Sequence, residues 1–278
     1  MRFFKALYPM IDDKNKMVAA LRDLKEGAQK WELWGRMGID DMRRRYRRTF
    51  IGPFWHSLSM AIFVTSSGIL FSALWKMNIK EYLPFFCSGI SAWLSISAIM
   101  TESCTAFSSA SPILTQVRLP YSLFVIAVVW RNLLLFSHNF VVYAIMVIIF
   151  HVPVNANSCL LLVGLASLVI NGVWMGLVIA LLSTRYRDIQ PVMTSFLQII
   201  MFITPVFWPP SLLQNRALGL MFVKLNPFYH FIQSIRVPLL GQRPEWFVYV
   251  GIVISSVLGW SLAMYLFSRY RRRVTYWL

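Results

Sequence analysis

Five of the six residues from Arg43 to Arg48 are arginines, in the stretch RRRYRRTFIGPFW at 43–55, directly ahead of the first long apolar run. Guanidinium forks match phosphate oxygens, so the cluster fits a membrane anchor, a nucleic-acid patch or a joint in something that moves. Other chemistry-bearing side chains stand within or beside apolar runs: Glu102, the pair Arg131 and Asn132, and the pair His138 and Asn139. A charge in lipid is costly, and an opposite charge at the same depth is the remedy. Glu102 and Arg131 are therefore expected to pair; the alternative is that each reaches headgroup water. On the pairing, replacing either with Ala destabilises the protein and a charge swap partly restores it. His138 reads as an interhelical hydrogen-bond partner rather than a proton carrier.

Catalysis finds no foothold in the pattern. The eleven acids are scattered, and GxxxxGK[ST], HExxH and GxSxG are all absent. The chain is read as non-enzymatic, with no metal and no ATP site of its own. Cys87, Cys104 and Cys159 lack metal or disulfide spacing and read as small core residues.

The elements that must hold these groups are apolar. Of 278 residues 58% are hydrophobic and 14% charged, where soluble domains carry roughly 25% charge. Mean hydropathy is +0.59. The net charge of +16 raises nucleic acid as a partner, but 13 of the 27 Lys and Arg precede Phe54 and four more lie in the last ten residues. No soluble scaffold remains to shape a basic groove, so nucleic acid is set aside. The first apolar run starts after residue 53, which speaks against a cleavable signal peptide.

The sequence predicts an all-α polytopic membrane protein. Six transmembrane helices are expected at 54–75, 83–101, 123–150, 159–182, 191–208 and 246–267. They lie within a permease region of 54–268, between an N-terminal region 1–53 and a basic tail 269–278. With both termini in the cytoplasm, cytoplasmic segments hold twenty Lys and Arg against six outside. The outer excess in the connection between spans five and six is unusual. That connection alternates apolar clusters with Pro209-Pro210, Asn226-Pro227, Pro238 and Gly241. Two short re-entrant outer helices suit it better than a surface loop.

Within 1–53, Trp31, Trp34, Met37, Ile39 and Met42 recur at helical spacing among basic residues. They predict an amphipathic helix lying on the membrane surface. Residues before about 28 are polar and expected to be loosely held. Gly52-Pro53 predicts a hinge where the chain enters the first span. Gly172 and Gly176 permit close helix packing in span four. Aromatics line spans one and five: Phe54, Trp55, Phe63, Phe71, Trp75, Phe196, Phe202, Phe207 and Trp208. Such rings usually face lipid or pack, yet they also stack on sugar rings.

Five segments in order resemble a known family: RYRRTFIGPFW at 45–55, VRLPYSLFV at 117–125, WRNLLLFSHN at 130–139, YRDIQPVMTSFLQIIMFITPVFWPP at 186–210 and NPFYHFIQSIRVPLLG at 226–241. Together they are similar to type-2 ABC exporter permeases of the lipopolysaccharide O-antigen and capsular polysaccharide export family. The resemblance implies a homodimer in the bacterial inner membrane, docked on two copies of a nucleotide-binding ATPase subunit that binds ATP and Mg. The substrate implied is a glycan on undecaprenyl diphosphate.

On that resemblance, Trp31, Trp34, Arg36, Asp40, Asp41, Arg118, Tyr186, Arg187 and Asp188 meet the ATPase. Arg45, Arg47 and Arg48 are candidates for the carrier diphosphate. Trp55, Phe63, Phe71, Trp75, Phe196, Phe202, Phe207 and Trp208 are candidates to line the channel. Met60 stands where many relatives have proline, which puts a kink in span one in doubt. Alternatives are a capsule or teichoic-acid exporter, a small-molecule or lipid ABC permease, and an ion-driven secondary transporter. The last would want acids near the membrane middle, and only Glu102 comes near.

Overall fold

A computed structural model of the chain describes residues 2–52, 54–213 and 216–278, with side chains from residue 15 onward except those of 217 and 220. Pro53, half of the expected hinge, lies outside the described residues. Every regular element among those residues is a helix. The first two are α1 (Arg2–Gln29) and α2 (Trp31–Arg45). Then come α3 (Phe54–Leu74), α4 (Ile79–Ser103), the short α5 (Ala106–Ser109) and α6 (Ser111–Leu114), and α7 (Tyr121–Phe150). After them run α8 (Leu161–Arg185), α9 (Ile189–Ile203), α10 (Ala217–Leu225), α11 (Pro227–Leu239), α12 (Trp246–Tyr270) and α13 (Val274–Trp277).

Five helical stretches are long and apolar enough to cross a membrane: α3, α4, α7, α8 with its preceding turn, and α12 with its following one. The expected fifth span is different. α9 has 15 residues, about 22 Å, short of the roughly 30 Å of a hydrocarbon core. Its end is dictated by Pro205, which disfavours helix at the residue before it; Thr204 is extended at φ −81°, ψ 137°. The stretch 204–208, expected as helix, is therefore not one. Met60 sits inside α3, which runs unbroken from Phe54 to Leu74.

α4 is the central element, buried along most of its length against α3, α7, α8 and α11. Its serines do not break the apolar interior, because each hydroxyl bonds a carbonyl one turn back. Ser88 donates to Pro84 O at 2.8 Å, Ser91 to Cys87 O at 2.7 Å and Ser95 to Ser91 O at 3.0 Å. The two glycines of α8 serve packing inside the chain. A Cβ on Gly176 would lie 2.5 Å from Val125 and 2.8 Å from Ser103 Oγ, and one on Gly172 would crowd Ile99.

Two expectations need correction here. Residues 19–27 are not loose: this part of α1 packs on α7 and on the segment around α12. Asp23, fully buried, accepts from Tyr121 N at 3.2 Å, Ser122 N at 3.0 Å and Ser122 Oγ at 2.8 Å, capping α7 from outside. It also accepts from Arg271 Nε at 2.8 Å, so it ties the first helix to the segment after α12. Cys87 and Cys104 are buried as expected, but Cys159 is exposed in the turn before α8.

Candidate functional site

The arginine cluster begins on α2. Trp34 and Met37 pack into a core region shared by α5, α7, α8 and α12, and the Trp34 ring meets Trp130 edge-on at 5.6 Å. Trp31, Arg36 and Asp40 are exposed. One turn beyond Met37 the inward face delivers Asp41 and then Arg45 to polar groups of α4 and α7.

There the expected pair is present, with more partners than two. Arg131 donates to Glu102 Oε2 from Nη2 at 2.7 Å and from Nε at 3.1 Å. Its Nη1 donates to Asp41 Oδ2 at 2.6 Å. Asn132 Nδ2 donates to the same Glu102 oxygen at 2.7 Å, and Arg45 Nη2 donates to Oε1 at 2.8 Å. Arg44 closes the series on Asp41. Charges thus alternate from Arg45 through Glu102, Arg131 and Asp41 to Arg44, joining three helices. The inner pair is shielded, Arg131 being 11% and Glu102 15% exposed.

Arg45 is therefore engaged by Glu102, whereas Arg47 and Arg48 are exposed and form no ion pair among the described residues. Arg48 and Gly52 both take left-handed backbone, φ 69° and 63°, so the link from α2 to α3 turns twice. Among the described residues His138 bonds no other helix: its Nδ1 meets Leu134 O at 2.8 Å within α7, and its ring packs on Phe54 of α3 at 5.5 Å. Asn139 is buried beside it, with Oδ1 lacking a partner among the described residues.

The aromatics of α3 and α9 divide into two groups. Trp55, Phe63, Phe196 and Phe202 are exposed, and Phe71, Trp75 and Trp208 are half-buried. Phe207 is buried, contrary to its place among wall candidates. Its ring lies 5.7 Å from each of Phe71, Phe86 and Phe202, inside the core. Those contacts link α3 to the segment after α9 through α4. Arg118, Tyr186, Arg187 and Asp188 are all exposed on connections.

The sequence reading missed what holds the broken end of α9. Arg236, counted above as an outer charge, is 1% exposed inside α11. It donates to Pro205 O at 2.8 Å and Val206 O at 3.0 Å, carbonyls that a helix would have satisfied. Its guanidinium lies over the Phe85 ring at 4.1 Å. Gly89 makes the room, since a Cβ there would stand 1.8 Å from Nη2. Tyr82 Oη donates to Phe207 O, and Asn226 Nδ2 to Thr204 Oγ1 at 2.8 Å. The signal available was the excess of positive charge in that connection. For Asp23 there was none.

The arrangement suits transmission and passage rather than bond chemistry. No group of three or more His, Cys, Asp or Glu able to hold a metal occurs among the described residues. A helix on the side of the bundle is locked to its interior by charge, and two helices turn aromatic faces outward. Comparison with known proteins agrees with such a machine. The chain is 24% identical over 235 residues to the O-antigen export system permease protein RfbA of Myxococcus xanthus, covering 82% of this chain and 89% of that one. The model of the ABC-2 type transporter family matches residues 33–240, so this chain belongs to the ABC-2 type transporter family.

Proposed function

We propose that this permease exports a glycan linked to undecaprenyl diphosphate, O-antigen first and capsular polysaccharide second, across the bacterial inner membrane. The observation that carries the substrate is its similarity, over most of its length, to an O-antigen export permease. A homodimer is the working form. α3, α9 and α12 leave broad apolar faces uncovered, with Trp55, Ile62, Leu70, Phe196 and Phe202 exposed, and a second copy covers part of that surface while shaping a channel. α9 and the non-helical stretch 204–208 together make a sixth crossing. α10 and α11 re-enter from the outer face, which leaves both termini in the cytoplasm.

Two copies of a separate ATPase, holding ATP and Mg, press on α2 and on the connections bearing Arg118 and Tyr186 to Asp188. The exposed rings give sugars many weak stacking contacts. Arg47 and Arg48 meet the carrier diphosphate, with Arg45 joining them when it leaves Glu102. The test is deletion of the gene in the producing cell. Lipid-linked glycan then accumulates on the cytoplasmic face, and export returns only with this permease and an intact ATPase. Glycan reaching the outer face without either one refutes the reading.

A further inference from the structure

A groove lies where α8 and α12 end, and of its lining only Tyr186 belongs to a connection assigned above to the ATPase. It encloses about 320 Å³. Leu182 and Leu266 form an apolar floor, while Arg185, Arg273, Tyr270 and Trp277 form the rim. Arg185 is held in place: its guanidinium carbon lies 5.2 Å from the centroids of both Tyr186 and Trp277, and Nε donates to Tyr186 Oη at 2.9 Å. Arg273 lies 5.9 Å from the Tyr270 ring. Neither arginine has a carboxylate within ion-pair distance among the described residues. Two cations thus line one groove without a counter-charge among the described residues.

The floor decides which anion belongs there. A soluble phosphate needs the arginines but not Leu182, which is exposed and faces away from the core. A neutral lipid needs the leucines but not two unpaired guanidinium groups. The rim sits where two helices apolar enough to cross a membrane come to an end, the level at which Trp and Tyr anchor in headgroups. We infer that this groove binds an anionic phospholipid, its phosphate held by Arg185 and Arg273 and its acyl chains lying on Leu182 and Leu266. The lipid then bridges α8 to the segment after α12, which otherwise rests on α8 through the short α13. The inference is independent of the exported substrate.

The test uses the full chain purified in a neutral detergent and titrated with phosphatidylglycerol, bound lipid being counted by native mass spectrometry. Each basic residue near such a headgroup contributes about fivefold in affinity. Arg185→Gln and Arg273→Gln are each expected to weaken retention about fivefold, and the pair together about 25-fold. Replacing both with Lys keeps most of the binding, and phosphatidylcholine is not retained. Leu182→Trp, which fills the floor and leaves both cations, blocks retention even if the double Gln variant fails to fold. Equal retention of phosphatidylcholine, unchanged binding in Leu182→Trp, or displacement of the lipid by millimolar inorganic phosphate overturns the inference.

Discussion

Replacing Glu102 with Gln tests the charge network that locks α2 to the bundle. The carboxylate accepts four hydrogen bonds, three of them from guanidinium groups. A hydrogen bond to a charged group is worth about 1.5–3 kcal/mol and a neutral one about 1. The Arg45 contribution is discounted, because that side chain is 48% exposed and screened. A loss of about 2–3 kcal/mol remains. At roughly 3 °C per kcal/mol for a chain of this size, thermal unfolding of the purified protein should fall by about 6–9 °C. Arg131→Gln should cost slightly more, because it takes a guanidinium from Asp41 as well as from Glu102, leaving Asp41 to Arg44 and Glu102 to Arg45 and Asn132. The double Gln variant should be about 2 kcal/mol less damaged than the two single losses added together. A charge swap, in contrast, should not restore stability as a simple pair would require. A carboxylate at 131 would face Asp41, and a guanidinium at 102 would face Arg45. Additivity within about 0.5 kcal/mol, or a swapped variant as stable as the parent, would refute the network.

Asp23→Asn should destabilise the protein by about 2–4 kcal/mol, since a buried carboxylate with four donors loses its charge; accelerated protease cleavage before residue 30 is the check. Arg236→Met should change stability by less than about 2 kcal/mol, the stranded carbonyls being offset by relief of a buried charge. Export should nevertheless fall severalfold, with Arg236→Lys intermediate, because the end of α9 is no longer held; full export in the Met variant contradicts this. Gly89→Ala should be damaging in the parent by about 1–3 kcal/mol and nearly harmless beside Arg236→Met, where the clash is gone. Neutralising Arg47 and Arg48 should reduce export without lowering the melting temperature, since neither side chain makes an ion pair among the described residues.

Most of the architecture was legible because lipid imposes a coarse grammar of charge-free runs, and the five long helices begin and end within about four residues of the expected bounds. The Glu102 and Arg131 pair was legible for the same reason: a charge in an apolar run demands an explanation. What escaped were contacts made across sequence distance by residues in unremarkable surroundings. Asp23 lies in a polar stretch where an acid carries no message, and its partners are 98 to 248 residues away. Arg236 was visible as a surplus charge, but only the fold shows that Pro205 strands two carbonyls beside it. Asp41 was assigned outward to a partner, whereas helical periodicity alone cannot say that it turns inward to Arg131.

That inward turn bears on how force would travel through the molecule. α2 is bound to α7 by apolar packing and to α4 through Glu102, so a push on α2 is carried first to those two helices. α3 follows α2 in sequence, yet the link between them passes through two left-handed residues, Arg48 and Gly52, and such turns absorb rotation. α3 also packs directly on α4 and α7, while Phe71 and Phe207 connect it to the end of α9. If α3 and α9 form the wall proposed above, it would be driven through the bundle rather than by the covalent link. The arginine-rich joint then has two separable parts: Arg44 and Arg45 belong to the lock, while Arg47 and Arg48 stand exposed on the turning link, with no ion pair among the described residues.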